Sequence, residues 1–83
     1  HCGMRLPRDL SGARLAKALS RIGYSTTRQT GSHLRLTTVS PAEHHVTIPV
    51  HDPLRIGTLA AILADVAAHQ EVSRDELMER LFG

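Results

Sequence analysis

Two short stretches of this chain alternate apolar and polar side chains, and nothing else in it restricts the fold as tightly. In Ser32 to Thr38, Leu34 and Leu36 occupy one parity while His33, Arg35 and Thr37 occupy the other. In His45 to Val50 the two sets are Val46, Ile48, Val50 and His45, Thr47, Pro49. Successive side chains of a strand point to opposite faces, so each stretch reads as a half-buried strand with one face to cover and one left open. Antiparallel pairing must bring the apolar faces together, which requires opposed residue numbers to sum to an even value, 82 or 84. A sum of 84 would set His33 directly opposite His51. Pro49 has no amide to donate and belongs at a strand end or edge.

A third strand is expected over Tyr24 to Gln29, where β-formers are polar on both faces, with Tyr24, Thr26 and Arg28 alternating with Ser25, Thr27 and Gln29. It suits an edge. Thr30-Gly31 then turns the chain into the strand that begins at Ser32, and Val39 to Glu43 forms the next turn.

The apolar faces of these strands need helices. Gly12 to Ile22 carries Leu15, Leu19 and Ile22 at helical spacing, with Asp9 or Ser11 to cap its start and Gly23 to close it. Arg14, Lys17 and Arg21 fall off that stripe, on an expected solvated face. After a Pro- and Gly-containing connection from Asp52 to Gly57, Thr58 is the expected cap of a second helix with Leu59, Ile62, Leu63 and Val66 on one side. A third helix opens at Ser73 with Glu76 three residues on, a capping box, while Val72 and Leu77 have staple spacing. Leu77, Met78 and Leu81 would dock it on the core. The order helix, three antiparallel strands, helix, helix makes an α+β domain, a three-stranded antiparallel sheet with helices on one face.

At 83 residues the chain is one small domain, too small for a large enclosed cofactor pocket. Met4 is the expected native start, with residues 1–3 an expression remnant and 4–83 the single domain. The lone Cys2 cannot form an intramolecular disulfide, and the apolar run Leu59 to Leu63 falls well short of a membrane span, so a cytoplasmic protein with no membrane contact is expected. The net charge is only +2, yet from Arg5 to Arg35 there are six Arg and one Lys against one acid, Asp9. From Glu71 to Arg80 acids outnumber bases. A polyanion would meet the N-terminal half, which makes nucleic acid the leading partner.

Three motifs fall in order along this frame: Arg28-Gln29-Thr30-Gly31-Ser32-His33, Val46-Thr47-Ile48-Pro49-Val50-His51, and Gly57-Thr58-Leu59 at a helix start. The succession resembles the HicA toxin family, the YcfA-like mRNA interferases of type II toxin-antitoxin systems, over roughly Leu10 to Val66. The resemblance implies a double-stranded-RNA-binding-like α-β-β-β-α fold, here with an extra C-terminal helix. It also implies an endoribonuclease that cleaves mRNA and arrests translation, and a cognate HicB antitoxin that covers His33. The family's catalytic histidine corresponds to His33. Many members carry a second histidine directly after it, where this chain has Leu34, a residue expected to face the core.

The chemistry suits those residues. RNA cleavage needs a base for the 2′-OH proton, an acid for the leaving oxygen and positive charge at the phosphate; histidine serves either proton role near neutral pH. Arg28 and Arg35 are candidates for phosphate oxygens, with Gly31 and Ser32 lining the approach and Lys17 and Arg21 adding charge from the first helix. His51 is a candidate second proton-transfer group, against the plainer role of bonding backbone at the strand exit. Asp52 beside it is explained by turn formation before Pro53. No metal or small-molecule cofactor is expected: His45 and His51 share parity but lie about 20 Å apart along a strand, too far for one zinc ion. A Ser32-His33 nucleophile pair is expected to be badly aimed, because neighbours on a strand point to opposite faces. The alternative function is a non-catalytic RNA-binding module on the same surface. With Tyr24 and Phe82 as the only aromatics, it would recognise shape and phosphate rather than stack bases.

Overall fold

The computed structural model describes residues 9–40 and 42–83; Cys2, the Met4 start with residues 1–3 before it, and Pro41 lie outside the described residues. Along the chain run α1 (Gly12–Ser20), β1 (Ser25–Gln29), β2 (His33–Thr38), β3 (His44–Pro49), α2 (Ile56–Gln70) and α3 (Arg74–Phe82). The strands form one antiparallel sheet in the order β1-β2-β3, which leaves β1 at an edge as expected. This is the α-β-β-β-α arrangement with an added C-terminal helix.

The alternation sorts the two faces of the sheet. Leu34, Leu36, Val46 and Ile48 are buried in one cluster with Leu15 and Leu19 of α1, Leu59, Leu63 and Val66 of α2, and Leu77, Met78 and Leu81 of α3. All three helices therefore contribute to the core under one face, and His33, Arg35, His45 and Thr47 stay exposed on the other. Full burial of each such aliphatic side chain stabilises the fold by about 1.5–3 kcal/mol. Gly12 sits where α1 meets β3: a Cβ there would overlap the Pro49 carbonyl oxygen, and its N–H donates to the His51 carbonyl at 2.9 Å.

Element ends depart from the expected bounds for local reasons. Ser11 caps α1, accepting from the Arg14 N–H at 3.1 Å, but the helix stops at Ser20 rather than Ile22. Gly23 adopts φ 105°, and the Tyr24 N–H reaches back to the Leu19 carbonyl, a left-handed termination that glycine permits. That turn drives Tyr24 into the core at 1% exposure, so β1 begins after it. α2 opens at Ile56, two residues before the expected Thr58 cap. Buried Leu54 is tied by its N–H to the Leu10 carbonyl at 2.8 Å, and Leu59 already closes a helical turn onto the Arg55 carbonyl. Ser73 caps α3 by accepting from the Glu76 N–H at 3.0 Å, whereas the Glu76 carboxylate pairs with Arg80 at 2.7 Å. Val50, expected inward, lies past the end of β3 and is 42% exposed, although its N–H still donates to the Ser32 carbonyl at 2.8 Å.

Candidate functional site

His33 opens β2 at the end of a four-residue turn. The Thr30 N–H donates to the His33 carbonyl at 2.9 Å, and the Thr30 hydroxyl accepts from the His33 N–H at 3.1 Å. Gly31 sits at the exposed tip without a left-handed φ, and a Cβ on it would meet nothing within 4 Å. Nothing inside the chain demands a glycine there; its effect is to leave the space above the turn open.

The His33 ring is held on one side only. Ser32 Oγ lies 2.9 Å from His33 Nδ1, whereas strand alternation had set these side chains apart. The difference arises because Ser32 precedes the strand, in a bend, where alternation does not apply. Among the described residues Nε2 has no partner. Ser32 therefore orients the imidazole and presents Nε2 to solvent, the atom through which a proton would move. Among the described residues no third group stands behind the pair as it would in a nucleophile triad.

The sheet register takes the sum of 82: His33 pairs with Pro49, Arg35 with Thr47 and Thr37 with His45. His51 is thus not across the ladder from His33. It lies exposed two residues beyond Pro49, with its backbone carbonyl engaged by α1.

On the other side of β2 the pairing slips by one between Thr26 and Arg28: Thr26 opposes Leu36, but Arg28 opposes Arg35. A regular ladder would have continued to Arg28 opposite Leu34 and turned the guanidinium toward the core side. The bulge at Thr27 cancels that step, so Arg28 leaves the face of Thr26 and joins Arg35 on the open side. Thr27 faces the same way, its hydroxyl 2.9 Å from Thr37 Oγ1. Two guanidinium groups thus stand on one exposed face, with no acid paired to either among the described residues. Like charges directly opposed across strands are destabilising, and an anion lying between them removes the penalty.

Farther along the same face, Thr37 Oγ1 bonds His45 Nδ1 at 2.7 Å, and His45 Nε2 approaches Glu43 at 3.2 Å. Below the sheet, at the end away from His33, His44 bonds the Tyr24 hydroxyl at 2.8 Å, approaches Asp65 at 3.3 Å and stacks on His69 with ring centroids 4.2 Å apart. Burial raises the Tyr24 hydroxyl pKa above its ordinary value; the nearby Gln70 amide opposes the shift and the Asp65 charge adds to it. His44 had no expected role, yet the signal was present: its parity matches Val46 and Ile48, so extending the alternation by one residue turns it inward.

Lys17 and Arg21 do not join His33. Lys17 lies on α1 and Arg21 at its C-cap, in the layer packed against the opposite face of the sheet, and both line a groove that α1 forms with the end of α3. Among the described residues no group of three histidine, cysteine or carboxylate side chains is placed to hold a metal ion, and no helix is long and apolar enough to cross a membrane. The family model described as HicA toxin of bacterial toxin-antitoxin matches residues 12–67, more than half of the chain. None of the curated proteins and none of the solved structures matches it.

Proposed function

The chain belongs to the HicA toxin family, the toxin half of a bacterial toxin–antitoxin pair, and from that premise we propose that it is a metal-independent endoribonuclease that cleaves mRNA in the cytoplasm. One observation carries the proposal: His33, held at Nδ1 by Ser32, presents an Nε2 that has no partner among the described residues, on the face where Arg28 and Arg35 stand side by side with no acid paired to them among those residues. The RNA backbone would lie across this face with a phosphate at the two guanidinium groups. Gly31 leaves room for its approach, and the turn amides add donors.

In the cleavage step a base takes the proton of the 2′-OH and the 2′ oxygen attacks the adjacent phosphorus. The bond to the 5′ oxygen breaks, and that oxygen leaves with a proton from an acid. His33 Nε2 serves one of these proton roles. The second group stays a choice between water and His51, which is exposed near the same sheet end but not opposite His33. The arginines stabilise the charge that builds on the non-bridging oxygens. A HicB-type antitoxin would silence the toxin by covering His33.

His33→Ala is the direct test. It should retain the circular dichroism spectrum and melting temperature, since the side chain is exposed, and lose RNA cleavage by about a hundred- to ten-thousandfold. Cleavage by the wild type should persist in EDTA. Unchanged cleavage in the variant would sink the histidine mechanism, and RNA binding without products by the wild type would establish the binding module in place of the enzyme.

A further inference from the structure

Arg14, Lys17 and Arg21, the cations of α1 that the open sheet face does not use, rim a groove of about 420 Å³ floored by Leu10, Leu81 and Phe82. No acid lines it. The Arg21 guanidinium is fixed at one corner by donating to the Leu81 carbonyl at 2.8 Å, which holds its fork at the rim. Leu10 and Leu81 are buried, whereas Phe82, the chain's one phenylalanine, is only partly covered. Leu81 and Phe82 come from α3, which lies outside the residues 12–67 that match the family.

Cations alone would suit a phosphate backbone, but that ligand has no use for an apolar floor with an aromatic edge. A peptide that combines carboxylates with aliphatic side chains matches both parts. We propose that this groove docks an acidic, amphipathic segment of a protein partner, with aliphatic side chains against Phe82 and Leu81 and carboxylates at Arg14 and Lys17. The antitoxin is the natural owner of such a segment, an attribution that rests on the family membership; the groove chemistry does not. Because α1 and the open face lie on opposite sides of the sheet, the segment would anchor a partner without touching His33. The chain's own residues 1–8 carry Arg5 and Arg8 and no acid, so charge opposes them as occupants.

The test uses the full chain in a His33→Ala background and a fluorescein-labelled peptide of about 14 residues, with Leu at i, i+3, i+4, i+7 and Glu between them. Fluorescence anisotropy should show saturable binding that weakens with added NaCl. Lys17→Glu, on an exposed side chain, should weaken it about tenfold, and Phe82→Ala, checked for folding by its melting curve, by about tenfold or more. Arg35→Ala should leave it unchanged. No saturable binding, or binding that Lys17→Glu leaves intact, overturns the proposal. So does peptide binding that appears only after residues 1–8 are removed, which would make them the occupant. An RNA oligonucleotide whose binding falls with Lys17→Glu while the peptide's does not would assign the groove to nucleic acid instead. RNA cleavage by the wild type, which Lys17→Glu should leave unchanged, reads the sheet face separately: loss of either activity without the other identifies which proposal fails.

Discussion

The two nitrogens of His33 have unequal surroundings, Nδ1 beside the Ser32 hydroxyl and Nε2 without a partner among the described residues. Ser32 is exposed, so Ser32→Ala should leave stability unchanged. Loss of one hydrogen bond, about 0.5–1.5 kcal/mol, should slow cleavage by about two- to tenfold, because the same bond holds the ring in its orientation. A variant with the wild-type rate would show that the ring needs no such support. Tyr24 makes the opposite case, a side chain whose titration bears on stability rather than on chemistry. Burial first of all holds its hydroxyl pKa above the ordinary 10.0. The unfolded chain therefore releases this proton at lower pH than the folded one does. The contribution is intact below the unfolded value and is lost as pH rises from about 10 through the folded value. Urea denaturation at rising pH should show stability falling on that alkaline limb. Tyr24→Phe should flatten the limb while costing about 1 kcal/mol near neutrality, because His44 Nδ1 loses its partner.

At the scale of elements the informative strand is β1, which buries nothing and still decides where Arg28 points. Because Arg28 and Arg35 repel each other in the free protein, Arg35→Ala should raise stability by about 0.2–1 kcal/mol. The same change should weaken RNA binding and reduce the slope of log affinity against log salt by about one. Opposite signs in the two assays would mark a pair kept for its ligand; a loss in both would mark a structural pair. The bulge that makes this pair was not legible in Ser-Thr-Thr-Arg-Gln, because a segment polar on both faces gives no parity signal for a slipped register to violate. Where one face is apolar the alternation places Leu34, Leu36, Val46 and Ile48 in the core and fails only for Val50, past the end of β3. A two-residue period could not separate the sum of 82 from that of 84, since both keep the faces matched. What accompanies the realised register, with Pro49 rather than His51 opposite His33, is a tertiary contact, Gly12 seated against Pro49 and bonded to the His51 carbonyl. The Ser32–His33 bond departs from the alternation for a related reason: Ser32 lies one residue before the strand to which the two-residue period applies.

Across the whole molecule, the candidate site and the last helix lie on opposite sides of the sheet. Residues 12–67 include the sheet, α1 and most of α2, but α3 adds Leu77, Met78 and Leu81 to the core at 2% exposure or less. A domain of this size is held by about 5–15 kcal/mol in total, so three buried side chains form a large part of its margin. Leu81→Ala should cost about 2–5 kcal/mol through lost burial and the cavity left behind, enough to lower the melting temperature by more than about 10 °C in a chain of this length. Cleavage should respond differently. Since His33, Arg28 and Arg35 make no contact with α3, the rate per folded molecule should match the wild type at a temperature where both are native, while the half-life on warming shortens. A melting temperature within about 2 °C of the wild type would mean that α3 is not docked as described. A normal melting temperature with impaired cleavage would mean that the helix acts on the open face through the sheet.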